Sequence, residues 1–194
     1  MAQKIIPANP RSRADIDSFA MSLLYGFQRN AIDNPEPVDI ELFFEIHLPS
    51  IAAGVVTDYK NLPPEIHGYT DIERGKIVIS RDLVEDPRQE RFFRSTTAHE
   101  SYHGLVHIPE FRAKKALSKL IHGKDHGNLR LYRASEIKTY CNPEWQAWRF
   151  AGTFLMPESA FRKAASRRCD EIYLADLFNI NPAFIRSRVK ALGL

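Results

Sequence analysis

The spacing of apolar residues predicts helices toward both ends of the chain and strands between them. Residues 13–27 indicate a helix, because apolar side chains recur there at every third or fourth position: Ile16, Phe19, Leu23, Leu24 and Phe27. Residues 34–47 indicate a proline-rich loop that enters a short helix at Asp39. Three segments have the composition of strands: 52–60, 66–73 and 76–80. Gly75 lies in the turn before the last of them, where its backbone freedom suits a hairpin.

A long helix is predicted over residues 87–107. Asp86 is a good N-cap, Pro87 suits the first helical position, and Gln89 completes a capping-box-like pattern. Pro109 predicts the end of this helix, because proline lacks a backbone N–H and its ring clashes with the preceding turn. The pattern therefore indicates one well-started helix that does not continue beyond this proline.

The rest of the chain is predicted to be a basic, irregular segment followed by helices. Residues 108–141 carry 8 Lys and Arg against 3 Asp and Glu. Helices are predicted over residues 142–156 and 157–168, and two more are joined near residues 179–181, with Gly193 as the final stop. The predicted N-caps in this part are two asparagines, Asn142 and Asn181.

Composition places the chain among ordinary globular proteins. It has 194 residues, of which 44% are hydrophobic and 26% charged, which suits a single domain. No apolar run approaches the roughly 20 residues that cross a bilayer, and the first residues lack the apolar core of a signal peptide. We therefore expect a cytosolic protein, in which Cys141 and Cys169 are reduced thiols.

Charge is distributed unevenly along the chain. The net charge of +3 is too small to indicate a nucleic-acid partner. Residues 1–98 carry 11 Lys and Arg against 15 Asp and Glu, whereas residues 99–194 carry 16 against 9. The basic C-terminal half could face an acidic partner or DNA, or it could be a solvated surface without a partner.

The strongest chemical signal is the pattern H-E-x-x-H formed by His99, Glu100 and His103. On a helix, residues four apart share one face, so both imidazoles could reach one Zn²⁺ at about 2.0–2.1 Å. Glu100 is rotated by about 100° from His99 and could take a proton from a water molecule on the metal without binding the metal. The alternative is a pair of histidines that bind no metal.

A catalytic zinc needs a third protein ligand. The pattern H-E-x-x-H-x-x-G-x-x-H fails here, because Val106 and Pro109 stand where it requires glycine and histidine. Glu144 is the best candidate, since it opens an otherwise apolar helix and a carboxylate at the edge of a buried face needs a partner. The alternative is that Glu144 only complements the helix dipole.

Two segments together resemble the ImmA/IrrE-type zinc metallopeptidases. "TTAHESYHGLVH" followed by "EWQAWRFAGTFLMP" is similar to that family's A-H-E-x-x-H-x-x-x-H and E-x-x-A-[ND]-x-F-A-x-x-L-L-M-P, and the first and last segments of the chain are similar as well. The resemblance implies that His99, His103 and Glu144 bind zinc and that Glu100 is the general base. It also implies a bacterial or phage cytosolic protein that cleaves a helix-turn-helix repressor in stress responses, or one associated with a toxin–antitoxin module.

We accordingly expect a single α+β, zincin-like domain over residues 1–194, with a small β-sheet packed beside the H-E-x-x-H helix. Residues 1–107 would hold the N-terminal helices, the sheet and the metal helix. Residues 108–141 would be a basic insertion, and residues 142–194 a helical subdomain with the third ligand and a helix-turn-helix-like tail. A substrate peptide would lie extended along the edge of the sheet.

Two departures from the family pattern affect the site. Trp148 replaces the asparagine or aspartate of the pattern, and an indole cannot accept a hydrogen bond from a zinc-bound imidazole. Another group must then hold the imidazole, or the metal is held more weakly. The basic segment between the motifs is also longer than expected, so it could be a lid, a substrate-recognition element or a loop without a role.

Other residues leave their roles open. His107 could bind the metal, but an outer or core position is favoured, because three ligands on one straight helix diverge. His122 and His126 could form an adventitious metal pair or belong to a polar loop. Three tyrosines could stabilise an oxyanion or lie elsewhere in the fold: Tyr102, Tyr140 and Tyr173.

The preferred function is a zinc-dependent endopeptidase that cleaves a specific cytosolic protein, such as a helix-turn-helix repressor or an antitoxin-like regulator. One alternative is a non-catalytic regulator or toxin–antitoxin component that uses the fold as a binding module. Another is direct DNA binding by the final helix, through Arg186, Arg188 and Lys190. The same helices could instead close the core or dock a repressor.

Overall fold

Helices form most of the described structure and pack against a small mixed sheet, and a separate pair of short strands lies apart from that sheet. The computed structural model describes residues 4–122, 131–168 and 170–194. Its first elements are strand β1 (Lys4–Ile5) and helix α1 (Arg13–Phe27), where Ser12 and Asp15 form a capping box. Next come α2 (Asn30–Asp33), α3 (Ile40–Leu42), a π-helical turn (Phe43–His47) and α4 (Leu48–Ile51). The helix expected at Asp39 is confirmed, because this side chain accepts a hydrogen bond from the Leu42 amide.

The sheet has three strands in the order β2-β4-β3. Strands β2 (Val56–Lys60) and β4 (Lys76–Ser80) run parallel, and β3 (Gly68–Asp71) pairs with β4 as an antiparallel hairpin. Gly75 has a φ of +66°, which confirms the predicted turn. The first two strands are shorter than predicted but lie within their predicted segments, and the third has the predicted bounds.

The metal helix continues further than the sequence indicated. After α5 (Arg81–Glu85) and a 3₁₀ turn (Pro87–Gln89), α6 spans Glu90–Tyr102. A π-helical turn (His103–His107) leads directly into α7 (Ile108–His122). The prediction that the helix stops at Pro109 is wrong, and so is the prediction that the basic segment is irregular from residue 108.

The π-helical turn explains why Pro109 does not end the helix. The Ile108 amide donates to the His103 carbonyl, five residues back, so the register shifts before the proline is reached. Pro109 then occupies the first turn of α7, where its missing N–H has no partner to lose. The chain uses the same arrangement before Pro49, which follows the π-helical turn Phe43–His47.

The structure shows the helix caps that the sequence predicts in the C-terminal part. Strand β5 (Tyr132–Arg133) pairs with β1, and two 3₁₀ turns follow (Ala134–Glu136 and Thr139–Cys141). Four helices complete the chain: α8 (Pro143–Leu155), α9 (Glu158–Arg167), α10 (Glu171–Phe178) and α11 (Pro182–Leu192). Asn142 and Asn181 accept hydrogen bonds from the first turns of α8 and α11, and Gly193 ends α11 in the left-handed conformation.

The aromatic core holds α6 beside α8. Tyr102 on α6 lies with its ring centroid 4.9 Å from that of Phe150 on α8, and Phe19 on α1 packs against both rings. On the other side of the metal helix, Gly104 lies so close to β4 that an added Cβ would come within 2.3 Å of Ile77. The helix is therefore fixed between α8 and the sheet, which confirms the α+β architecture.

None of the helices in the described ranges has both the length and the apolar composition that crossing a membrane would require.

Candidate metal centre

Three predicted ligands converge at the contact between α6 and α8. The Nε2 atoms of His99 and His103 are 3.1 Å apart. The Glu144 carboxylate places one oxygen 3.2 Å from the Nε2 of His99 and the other 3.6 Å from the Nε2 of His103. Two tetrahedral ligands, each about 2.0–2.1 Å from a zinc ion, lie about 3.3 Å apart. The two nitrogens and the carboxylate therefore have the separations that one zinc ion requires.

The electrostatic state of His103 also suits a cation. Burial, together with the neighbouring imidazoles of His107 and His99, holds the pKa of His103 well below its ordinary value. A neutral imidazole offers a lone pair, which is the form that binds a metal. The two Nε2 atoms are close enough for one cation to bind both of them once neither carries a proton.

Glu144 lies where both imidazoles can be reached from the first turn of α8. Its backbone amide is capped by Asn142, which leaves the side chain to extend toward α6. The hydrogen bond from His99 holds the pKa of the Glu144 carboxyl below its ordinary value, against the effect of burial. A carboxylate that only complemented the helix dipole would not need to contact both histidines, as Glu144 does.

Glu100 lies beside this cluster and is held by the sheet. The Thr70 hydroxyl on β3 donates a 2.6 Å hydrogen bond to the Glu100 carboxylate. Gly68 makes room for this side chain, because a Cβ there would lie 3.1 Å from the Glu100 Cγ. Burial raises the pKa of the Glu100 carboxyl, although His99 and the Thr70 hydrogen bond oppose the shift. A carboxylate of raised basicity next to a metal site is suited to proton transfer.

A chain of hydrogen bonds supports His103 from behind. Its Nδ1 is 2.9 Å from the Nδ1 of His107, whose Nε2 is 3.0 Å from the Gln146 Oε1. If the Nε2 of His103 binds a metal, its Nδ1 carries the proton and donates to His107, which in turn donates to Gln146. The Gln146 amide is itself fixed, because its Nε2 donates to the carbonyls of Asn9 and Tyr140. The structure thus places His107 behind His103, as the favoured interpretation of the sequence expected.

His99, in contrast to His103, has no hydrogen-bond partner behind its imidazole among the described residues. The Nδ1 of His99 is buried and has no hydrogen-bond partner among the described residues. Trp148, which replaces the amide or acid of the family pattern, lies instead against the imidazole, with ring centroids 4.3 Å apart. The sequence indicated that this tryptophan could not accept a hydrogen bond, and the structure shows that no other described group does so.

A cleft of about 380 Å³ opens beside the candidate ligands. The edge strand β3 lines it, together with Ile5 of β1 and Leu131, which directly precedes β5. Among the residues that line the cleft, the tyrosine is Tyr69 on β3, which the sequence analysis did not single out. The sequence around Tyr69 contains no motif that would have indicated a place in the cleft.

The three tyrosines proposed as oxyanion donors lie elsewhere. Tyr102 is buried against Phe150 and His107, so it has the core position that was the alternative to an oxyanion role. Tyr140 and Tyr173 are not part of the cleft lining. They contact cationic side chains instead, Lys138 and Arg168 respectively.

The remaining sequence candidates are distributed over the structure. The pair of His122 and His126 lies outside the side chains that the structure describes, as does Cys169, whereas Cys141 is a free thiol. Of the cationic residues proposed to contact DNA, Arg188 is buried and Arg186 pairs with Glu171. That arrangement leaves Lys190 as the exposed cation of the three without an ion pair among the described residues.

Fold and site together define a zincin-like chain, with an H-E-x-x-H helix beside a small sheet and a carboxylate from a later helix. The chain matches the IrrE N-terminal-like domain over residues 53–190 and belongs to that family, which is a family of metallopeptidase-like proteins and regulators. The family resemblance seen in the sequence is confirmed.

A solved structure of a Mycobacterium tuberculosis transcriptional regulator is similar in fold, with a TM-score of 0.59. The two chains are 16% identical, and the match covers 91% of this chain and 46% of the regulator. This chain therefore spans about half the length of that protein, and the likeness concerns the fold alone. No curated protein matches the chain.

Proposed function

We propose that the protein is a zinc-dependent endopeptidase that cleaves a specific cytosolic protein, with a helix-turn-helix repressor or antitoxin-like regulator as its substrate. The observation that carries this proposal is the convergence of His99, His103 and Glu144 at ligand separations, with the Glu100 carboxylate alongside. The donor set of two imidazoles and one carboxylate is that of a catalytic zinc site.

In this proposal each residue of the centre has a separate role. His99, His103 and Glu144 hold zinc, which when bound acts as a Lewis acid and lowers the pKa of water. Glu100 takes the proton of the attacking water and later delivers it to the leaving amine. Thr70 holds the carboxylate in position for both transfers.

The cleft supports binding of an extended peptide. Strand β3 is at the edge of the sheet and lines the cleft beside Glu100, so a substrate backbone could add to it by hydrogen bonding. The identity of the substrate as a regulator rests on membership of the family rather than on a contact in the cleft.

The unsupported His99 favours a second candidate function. A site with one imidazole lacking an outer hydrogen-bond partner binds its metal more weakly. The chain could then act as a non-catalytic regulator or toxin–antitoxin component that binds a protein through the same cleft.

The test is incubation of the protein with helix-turn-helix regulators from the same genome, followed by mass spectrometry. We expect discrete fragments with the zinc-loaded protein, no cleavage after removal of the metal by a chelator, and recovery with one equivalent of zinc. Cleavage that continues in metal-free protein, verified by elemental analysis, would contradict a metallopeptidase. Tight binding of an intact regulator without cleavage by the zinc-loaded protein would support the binding module.

Replacing Trp148 by asparagine is expected to raise the zinc affinity. The amide oxygen could accept the proton of the His99 Nδ1, and outer partners of this kind change metal affinity by about 10–100-fold. Competition with a chromogenic chelator measures the change. Trp148→Leu is the control, because it removes the indole without adding an acceptor. Equal affinities for the asparagine and leucine variants would show that the missing hydrogen bond does not limit metal binding.

A further inference from the structure

A second cavity lies on the other side of Trp148, between α8 and α11. It is open to solvent on one side and has a volume of about 600 Å³, within the roughly 300–1,000 Å³ typical of small-molecule sites. The cleft of the candidate metal centre shares none of its lining residues. Nothing in the proposed peptidase mechanism requires this cavity.

Three aromatic side chains form one part of the cavity lining: Trp145, Trp148 and Phe184. Trp148 is 42% exposed, a large fraction for an indole in contact with a cavity. Phe184 meets it edge to face, with ring centroids 5.7 Å apart. Exposed indole and phenyl surface of this kind favours a planar ring as the ligand, because aromatic rings stack on one another.

No carboxylate is among the lining residues, whereas four of them are cationic: Arg13, Arg149, Arg188 and Lys190. The Asp17 carboxylate neutralises Arg149 from behind. Arg13 and Lys190 are exposed and form no ion pair with a described residue. The cavity therefore carries a net positive charge toward any ligand.

Arg188 is the most informative of these cations. It is 3% exposed, and its guanidinium donates to the Met156 carbonyl at 3.0 Å and the Thr153 hydroxyl at 3.1 Å. Both partners are neutral, and no carboxylate of the described residues lies within ion-pair distance of it. Burial lowers the pKa of Arg188 to about 10, so the side chain still carries its charge at neutral pH. Asp17 is linked to Arg188 only through the Thr153 hydroxyl. Glu158 acts on Arg188 without a direct contact, so neither carboxylate forms an ion pair with it. A buried cation beside a cavity that has no directly bound anion favours an anionic ligand from outside the chain.

We propose that this cavity binds a small aromatic anion, a planar ring joined to a phosphate group, of the nucleoside monophosphate class. The ring would stack on Trp148 and meet Phe184 edge to face, and the phosphate would face Arg188, with Arg13 and Lys190 at the exposed side. Arginine is suited to phosphate, because its planar guanidinium donates two parallel hydrogen bonds. A cavity of this volume suits one such molecule better than a folded protein segment.

The chain supplies its own reporter for this ligand. It has two tryptophans, and both line the cavity. We expect adenosine 5′-monophosphate to quench the intrinsic fluorescence of the full chain in a saturable manner, with the affinity confirmed by titration calorimetry. Adenosine and inorganic phosphate, each of which satisfies half of the site, are expected to bind at least about tenfold more weakly, since one charge-assisted contact has about that value.

Charge reversal at the exposed cations completes the test. Lys190→Glu and Arg13→Glu should each weaken binding of adenosine 5′-monophosphate by about tenfold. Arg167→Glu is the matched control, because this exposed arginine at the end of α9 is not part of the lining, and it should leave binding unchanged. Melting curves by circular dichroism check that each variant is folded.

Three outcomes would overturn the proposal. Absence of saturable binding at millimolar nucleotide would leave a protein segment as the occupant. Equal affinities for adenosine and its monophosphate would remove the role of the cations. Equal affinities for phosphate and the monophosphate would remove the role of the aromatic residues. Each outcome is independent of peptidase activity, because zinc and protein substrate are absent from the titration.

Discussion

Replacement of Glu100 by glutamine is expected to reduce the rate of cleavage by about 10²–10⁴-fold, which is the usual contribution of a general base or acid. Glutamine has almost the same size, and its oxygen can still accept the hydrogen bond from Thr70, so the local packing is kept. The amide cannot take a proton from water. Zinc affinity should stay close to that of the unchanged protein, because Glu100 is not among the three clustered ligands.

Two measurements on the same preparation check this expectation: the rate of substrate cleavage and the zinc content after dialysis. Glu90→Gln is the control, since this glutamate lies in the first turn of the same helix and contacts Asn179 rather than the site. If Glu100→Gln keeps its cleavage activity or its full cellular effect, the peptidase proposal is wrong. Loss of zinc in this variant would instead show that Glu100 helps to hold the metal.

Local geometry explains why much of the site could be predicted from the sequence. Residues four apart on a helix always share a face, so the pairing of His99 with His103 required only that the helix form. Glu144 was a weaker prediction, because its approach to both imidazoles depends on how α6 packs on α8. That packing depends on aromatic contacts such as Tyr102 with Phe150, which spacing alone does not specify.

The long-range partners were beyond sequence reasoning. Thr70 meets Glu100 from thirty positions away, and Gln146 meets His107 across thirty-nine, because separate elements happen to pack there. The fold was misjudged at Pro109 for a related reason. A proline normally ends a helix, but the π-helical turn before it shifts the hydrogen-bond register, and no simple residue pattern marks that turn.

Replacement of Glu144 by glutamine is expected to lower zinc affinity by more than the roughly 10–100-fold that loss of an outer partner causes. The side chain would keep its length but lose the charge that balances the cation, and a neutral amide oxygen is a poor zinc ligand. Competition with a chelator measures the affinity. The rise in melting temperature on adding zinc, which reports binding to the folded state, should shrink or vanish.

Glu158→Gln separates this role from a simple helix-dipole effect. Glu158 also lies in the first turn of a helix, α9, and pairs with Arg162 away from the site. Loss of a first-turn carboxylate costs about 0.3–1 kcal/mol of stability at an exposed position, without any change in metal binding. If Glu144→Gln behaves like this control, with a small loss of stability and unaltered zinc affinity, then Glu144 only complements its helix and the third ligand lies elsewhere. If zinc affinity falls only in Glu144→Gln, the approach of this carboxylate to both imidazoles is the contact that holds the metal.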